Sequence, residues 1–317
     1  MNHHPVDLGA QNIGSPLLWA SFLAGVALVL AVDLKVSSRK QTTFREALTW
    51  SMFWIALSVA FGSFVWFRYG SEQGLEFFAG YLLEWSLSVD NLFVFVLLFR
   101  GFAIPSQHQH RVLFWGVLGA IVLRGTLILA GVALVQRFHW IIAIFGAILI
   151  YTAWKILFQK EQEAQPRDNA VVRWVARKFP MVDTIEGPQF LVRRGAQRYG
   201  TPLLLAVIAA ETTDLIFALD SIPAIFAVTD DPFLVFSSNM CAVLGLRSMY
   251  FVIRGALARL RYLKSGLAFI LLFVGLKMLL YKWVHLPTGV SLLAILAILS
   301  IALVFSLMRS VPNDEGA

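Results

Sequence analysis

Two apolar stretches of the chain each carry two carboxylates that are separated by five residues and followed at once by a small polar side chain. The residues are Glu84, Asp90 and Asn91 in the first stretch, and Asp214, Asp220 and Ser221 in the second. A charge at the centre of a bilayer costs roughly 2.5 to 3.5 kcal/mol, so several acids in such a setting indicate a function. The pattern predicts a pathway for a cation.

The helical spacing of these acids limits how they can share one ion. The two carboxylates of each pair point about 120° apart on an ideal helix, so a straight helix cannot turn both toward one ion. We expect one binding layer, formed chiefly by Glu84, Asn91, Glu211, Asp214 and Ser221. Asp90 and Asp220 either complete this layer where a helix is interrupted or form an adjacent relay site.

Pro223 follows the second phrase and predicts where such an interruption could occur. A proline inside a helix leaves the carbonyl of Leu219 without its amide partner, and that oxygen could bind an ion. Alternatively, a nearby side chain or water satisfies the oxygen and nothing further follows.

The available ligand atoms narrow the choice of ion. Carboxylate, amide and carbonyl oxygens favour Mg²⁺, Ca²⁺ or Mn²⁺, whereas Zn²⁺, Cu²⁺ and Ni²⁺ prefer imidazole or thiolate. The chain has a single cysteine, Cys241, and its histidines fall in predicted loops or at helix ends, at positions 3, 4, 108, 110, 139 and 285. We expect a transported divalent ion and no permanently bound cofactor. Spacing and residue type do not select among Mn²⁺, Ca²⁺ and Mg²⁺.

Basic residues within the apolar stretches offer an alternative reading of the acids. Arg124, Arg247, Lys155 and Lys277 could neutralise them pairwise in a static salt-bridge core. The two lysines lie near helix ends, where their side chains can reach the membrane surface. Two arginines against five acids leave the charge unbalanced, however, which favours a cation or protons as the remaining counter-charge. Asp33 lies near Lys35 at the end of the first apolar stretch. It either forms an ion pair with Lys35 at the membrane interface or belongs to an entry site for ions.

The overall composition is that of a polytopic membrane protein. Hydrophobic residues make up 58% of the 317 residues and charged residues only 14%. Runs of about 20 apolar residues, the length that crosses a bilayer as a helix, occur nine times: at 16–34, 47–67, 76–99, 112–135, 139–158, 203–228, 233–253, 264–281 and 289–308. The predicted fold is all-α, with nine transmembrane helices.

The basic residues predict the orientation of the chain. Lysine and arginine are concentrated in the first, third, fifth and seventh loops, whereas the even-numbered loops hold only Arg68, Arg137 and Lys282. The positive-inside bias therefore places the N-terminus outside and the C-terminus in the cytoplasm. The net charge of +7 follows from this topology, and no basic face suited to nucleic acid is expected. Within the long fifth loop, residues 171–178 form either a helix on the inner leaflet or part of a solvated linker.

The third to fifth and sixth to eighth predicted helices repeat the same landmarks in the same order. Each set has a carboxylate phrase, then an arginine (Arg124 or Arg247), then a lysine (Lys155 or Lys277). Because three helices are an odd number, the second unit enters the membrane from the opposite side, as in many secondary transporters. The predicted segments are a tail with two peripheral helices (1–75), the first repeat (76–158), a cytoplasmic loop (159–202), the second repeat (203–281), and a last helix with a tail (282–317).

The sequence gives no support to an enzyme. It lacks a glycine-rich phosphate loop, a His-Glu-x-x-His motif and a histidine near a candidate nucleophile. A single cysteine also cannot form a disulfide within one chain.

The two acidic phrases, Glu84 to Asn91 and Glu211 to Ala224, closely resemble the signature phrases of the TerC family of bacterial membrane proteins, and the similarity runs over about 16–308. The chain looks most like the Alx-like branch. The resemblance implies an inner-membrane exporter of divalent metal, chiefly manganese, related to the lysine-exporter superfamily and associated with tellurite resistance. By this resemblance, the acidic residues of the family's site correspond to Glu84, Asp90, Glu211, Asp214 and Asp220, and its polar residues correspond to Asn91 and Ser221. Trp85 departs from the family, where a lysine is expected.

Two alternatives to metal export stay open. One is a scaffold or a stress or redox modulator that does not transport and acts through the 159–202 loop. The other is an amino-acid exporter, like distant members of the superfamily. The expected partners are a divalent metal ion and the lipid bilayer, and homo-oligomerisation is undecided.

Overall fold

The computed structural model describes residues 13–37, 43–138, 140–158, 169–185, 187–254, 262–281, 283–284 and 286–308, with side chains at all of these except 33–37, 89–90 and 307. In order, the elements are α1 (Pro16–Ser37), α2 (Phe44–Tyr69), α3 (Ser71–Gly101), α4 (Ser106–Arg137), α5 (Ile141–Phe158), α6 (Ala170–Lys178), β1 (Leu191–Arg194), β2 (Gln197–Gly200), α7 (Pro202–Phe226), α8 (Pro232–Leu244), α9 (Leu246–Ile253), α10 (Leu263–Leu279) and α11 (Thr288–Met308). The protein is therefore mostly helical. The all-α prediction missed the antiparallel hairpin β1–β2, whose turn uses a positive φ of 65° at Gly195.

Each of the nine apolar segments coincides with a helix, except that 233–253 forms two helices, α8 and α9, which meet at a bend of 41°. Within the described residues, six helices are long and apolar enough to cross a membrane: α2, α3, α4, α5, α7 and α11. Counting α8 and α9 as one broken span gives up to seven. These findings support an integral membrane protein. The count of nine spans and the segment boundaries stay predictions.

Local sequence sets several helix ends. Thr43 and Glu46 form a capping box at the start of α2, in which each side chain accepts a hydrogen bond from the other residue's backbone amide. Asp231 caps α8, because its Oδ1 accepts from the amides of Phe233 at 2.8 Å and Leu234 at 3.0 Å. Pro232 occupies the first turn, where a missing amide proton costs nothing.

Packing between helices brings together segments that are far apart in sequence. α3 packs against α7 and α8, α4 packs against α7 and α8, and α5 packs along α10. The α5–α10 contact depends on glycine, since a Cβ added to Gly146 would lie 3.0 Å from the carbonyl oxygen of Gly275. A Cβ on Gly275 would lie 2.8 Å from the carbonyl oxygen of Gly146. Close backbone approach of this kind drives helix association in membranes.

Candidate ion-binding site

Two apolar clusters enclose a polar layer where α3, α4, α7 and α8 meet. The first, cluster A, includes Leu92, Val117, Ala210 and Val243. The second, cluster B, includes Ile128, Ala218, Ile222 and Met240. Along α4 and α7, the residues between the two clusters include Arg124 and Asp214. The polar side chains of this layer are therefore surrounded by hydrocarbon, where electrostatic interactions are strong.

Arg124 is the centre of the layer and is 1% exposed. Its Nε donates to Asp214 Oδ2 at 3.0 Å and its Nη2 donates to Asp214 Oδ1 at 2.7 Å. Its Nη1 forms an ion pair with Oε1 of Glu84, which is fully buried. The paired donors of a guanidinium match a carboxylate in this two-bond geometry. One arginine thus joins α3, α4 and α7.

Asn91 adds a second link between α3 and α7. Its Nδ2 donates to Asp214 Oδ1 at 3.2 Å, which leaves its amide oxygen to be accounted for. That oxygen is buried and has no hydrogen-bond partner among the described residues. The same holds for the hydroxyl of Ser88, one turn before Asn91. The structure therefore brings Glu84, Asn91 and Asp214 together.

Glu211 lies one turn before Asp214 on α7 and within electrostatic range of its carboxylate. Its side chain packs on Gly119 of α4, where any added Cβ would collide with the carboxylate. Oε1 of Glu211 is buried without a hydrogen-bond partner in the described part of the chain. A side chain at position 119 would therefore displace this carboxylate from its present position.

Asp220 belongs to a different level of α7. It follows Asp214 by six residues, which corresponds to about 9 Å along a helix axis. Thr152 of α5 donates to its Oδ1 at 2.9 Å. The neighbouring Ser221 is 1% exposed, and its hydroxyl has no partner within the described residues. This placement fits the adjacent relay position and not the central layer, so the prediction that Ser221 joins the layer is not supported by a contact.

α7 stays helical through Pro223, and an ion-binding role for the carbonyl oxygen of Leu219 stays a prediction. A proline removes only one amide donor, and neighbouring helices keep a spanning segment intact around it. Ala218, Ile222, Ile225 and Phe226 pack in cluster B on both sides of the proline. The apolar contacts therefore hold the helix together where hydrogen bonding is locally incomplete.

Several predicted residues lie apart from the layer or beyond the described side chains. Asp33 falls in α1 and Asp90 in α3, but neither side chain is among those described. Arg247 stands at the start of α9, within electrostatic range of His110. His3, His4, His139 and His285 lie outside the described residues. The roles assigned to Asp33, Asp90 and Arg247 stay predictions.

The sequence reasoning missed Asn239 of α8. This residue is fully buried, and both atoms of its amide lack a hydrogen-bond partner in the described residues. It lies between Val235 and Met240 of cluster B and precedes Val243 of cluster A by one turn. A search for asparagine inside apolar stretches, where an amide is costly to bury, would have found it.

In the conformation described, the acids are arranged around an arginine. Among the described residues, no three histidine, cysteine, aspartate or glutamate side chains are grouped so that they could hold a metal ion. Glu84, Glu211 and Asp214 nevertheless oppose the single guanidinium of Arg124. Three carboxyl groups thus face one guanidinium, so their charge is balanced only with protons or with a further cation.

Comparisons with known proteins agree with the resemblance noted in the sequence. Residues 69–314 match the sequence model of the integral membrane protein TerC family. An uncharacterized membrane protein of Myxococcus xanthus, STKORF319, is 48% identical over 301 residues, which is 94% of each chain. Proteins that carry the provisional name membrane-bound redox modulator Alx are 45% identical in Salmonella typhi and 44% identical in Escherichia coli K12, over 96% of this chain and 98% of theirs. No solved structure matches the chain.

Proposed function

The chain belongs to the TerC family of integral membrane proteins, and on this premise we propose that it exports a divalent metal ion, Mn²⁺ foremost, across the inner membrane. Transport, and not catalysis, is the proposed activity. Ca²⁺ and Mg²⁺ are the competing ions, since all three bind to oxygen ligands.

The observation that carries the proposal is the excess of buried acid in the polar layer. Glu84 and Asp214 share Arg124, and Glu211 adds a third carboxylate next to them. Uncompensated charge in a membrane interior is costly and marks ion pathways. A divalent cation that binds these carboxylates would balance their charge in place of protons.

The neutral groups around the acids suit the same ion. The amide oxygen of Asn91 and the hydroxyl of Ser88 are buried without partners among the described residues, and so is the amide of Asn239. Amide and carboxylate oxygens together are the ligands that Mn²⁺, Mg²⁺ and Ca²⁺ accept. We propose that Glu84, Glu211 and Asp214 supply charge and that Asn91 and Asn239 supply neutral oxygens.

Arg124 is proposed as the resident counter-ion of the empty carrier. While its guanidinium holds Glu84 and Asp214, the buried acids are stabilised without metal. An arriving ion would displace the guanidinium and take over the same oxygens. Exchange of one cation for another gives the carrier two states with different contacts, as alternating access requires.

The helix contacts support an inverted repeat as the basis of those two states. Exchanging α3 with α7, α4 with α8 and α5 with α10 converts the α3–α8 contact into the α7–α4 contact. The same exchange maps the α3–α7, α4–α8 and α5–α10 contacts onto themselves. In the proposed orientation, with the C-terminus in the cytoplasm, α7 runs outward, so Asp220 follows the layer on the outer side. Proton exchange provides a route for coupling, because a carboxylate must lose its proton before it binds metal.

Uptake of Mn²⁺ into proteoliposomes tests the proposal. The purified protein and Asp214→Asn are compared, with Ca²⁺ and Mg²⁺ as competitors. Asp230→Asn serves as the matched control, since Asp230 is an exposed acid in the α7–α8 connection. We expect flux in the wild type and in Asp230→Asn, and loss of flux in Asp214→Asn. Equal flux in all three proteins would refute the site.

A redox role is the second candidate, because the name of the Alx relatives carries it. The chain has one cysteine, Cys241, so any dithiol exchange needs a second thiol from a partner. Cys241→Ser separates the two functions. A transporter keeps Mn²⁺ flux after this change, whereas a thiol-dependent modulator loses its activity.

A further inference from the structure

The segment between α5 and α7 forms a small module that is fixed to the helix ends. Asn169 caps α6, since its Oδ1 accepts from the amide of Val171 at 2.9 Å. Val172 is 3% exposed and shares cluster A with Leu203 at the start of α7. α6 therefore lies against the start of α7, and the side of α6 that carries Val172 is buried there.

The hairpin is tied to the same place. The Thr201 hydroxyl donates to the carbonyl oxygen of Gln189 at 2.9 Å, and the amide of Gly200 donates to the carbonyl oxygen of Pro180 at 2.9 Å. Phe190 contacts the start of α4, edge-on to Trp115 and under the guanidinium of Arg111. Because α4 and α7 are membrane-spanning candidates that both begin here, the module lies at a membrane boundary.

Large apolar side chains are exposed on the module. The exposed fractions are 42% for Val171, 57% for Trp174, 57% for Phe179 and 51% for Leu191. Val171 and Trp174 are one helical turn apart, on a side of α6 away from Val172. An exposed tryptophan beside apolar residues is typical of a membrane interface, where the ring lies at headgroup depth.

Basic residues surround these apolar side chains. They are Arg173, Arg177, Lys178, Arg193, Arg194 and Arg198, all exposed. Between residues 169 and 200 the sequence has these six basic residues and two acids, Asp183 and Glu186. A basic amphipathic surface of this composition complements an anionic leaflet.

We propose that α6 and the β1–β2 hairpin lie on the cytoplasmic leaflet and bind anionic phospholipid headgroups. Val171 and Trp174 enter the interface, while Arg173, Arg177 and Lys178 contact headgroup phosphates. This docking would hold the starts of α4 and α7 at a fixed depth. The proposal is independent of metal transport.

A fluorescent label at position 171 tests the docking in the full chain. A bimane group is attached to Val171→Cys in a Cys241→Ser background, and the protein is placed in nanodiscs of phosphatidylcholine alone or mixed with phosphatidylglycerol. We expect lipids brominated near the headgroup to quench the label about twofold more in anionic discs, with the difference lost at high salt. Replacing Arg173, Arg177 and Lys178 with glutamine should abolish that difference.

Two controls make the result specific. The pair Arg68→Gln and Arg137→Gln removes basic charge from the even-numbered loops and should leave the quenching unchanged. A bimane group at Asp183→Cys reports on the acidic side of the module and should be quenched less. If the label at 171 stays accessible to an aqueous quencher in both kinds of disc, the proposal is wrong, and the basic surface is left for an acidic protein partner.

Discussion

Replacing Arg124 with glutamine removes the one guanidinium that holds Glu84 and Asp214. Glutamine cannot balance either carboxylate, so two acids stay buried beside Glu211 without a cation. Breaking a buried ion pair by removing one partner costs about 3–5 kcal/mol. At roughly 2–4 °C per kcal/mol for a chain of this order of size, the midpoint of thermal unfolding should fall by about 10 °C without metal.

A divalent ion should reverse much of that loss. If Mn²⁺ takes the position of the guanidinium, an ion concentration of about 100 times the dissociation constant stabilises the protein by about 2.7 kcal/mol. The wild type should gain less, because Arg124 competes for the same oxygens. The expected pattern is thus a larger Mn²⁺-dependent shift in Arg124→Gln than in the wild type.

Thermal unfolding in detergent, with and without Mn²⁺, measures both effects. Arg137→Gln is the matched control, since Arg137 is an exposed arginine at the end of the same helix. The double variant Arg124→Gln/Asp214→Asn should be more stable without metal than Arg124→Gln alone, because one buried charge is removed with its partner. If Arg124→Gln unfolds at the same temperature as Arg137→Gln, or if the two substitutions in the double variant are simply additive, the reasoning is refuted.

Two further changes probe the layer and its supports. Gly119→Ala should lower Mn²⁺ affinity roughly 10-fold to 100-fold by displacing Glu211, measured by titration. Gly116→Ala, whose Cβ would meet the Phe95 ring at 3.3 Å and the Ala210 Cβ at 4.0 Å, should bind nearly as the wild type does. Equal affinities of the two variants would contradict the packing argument. Asp231→Ala should lower the free energy of unfolding by about 1–2 kcal/mol. The carboxylate of Asp231 caps α8 and also accepts from the amide of Ile13 at 2.7 Å. Asp230→Ala should change the free energy of unfolding by less than about 0.5 kcal/mol.

Hydropathy located the helices because each apolar run is long enough to form one. Hydropathy did not predict the bend between α8 and α9, because the apolar run continues past Gly245 and past the arginine that follows it. The hairpin was missed because β1 and β2 have four residues each and lie in a polar segment, where only Gly195 indicates a turn. Pro223 lies inside α7 without ending the helix, and Ile222 and Phe226 on either side of it pack in cluster B.

The candidate site was predictable in composition but not in pairing. Glu84, Asn91 and Asp214 could be expected to meet, because buried polar groups seek partners. Which arginine would pair with them depends on the rotation of α4 about its axis, and periodicity does not fix that rotation. The place of Glu211 likewise depends on the missing side chain of Gly119, which matters only once α4 and α7 are packed together.

Binding of Mn²⁺ to the purified protein at equilibrium tests the central claim most directly, because it requires neither transport nor a driving gradient. Electron paramagnetic resonance distinguishes free Mn²⁺ from bound Mn²⁺, and the wild type is compared with Asp214→Asn and Asp230→Asn. We predict that the wild type and Asp230→Asn bind the ion while Asp214→Asn, equally well folded, does not. Undiminished binding by Asp214→Asn would contradict the account.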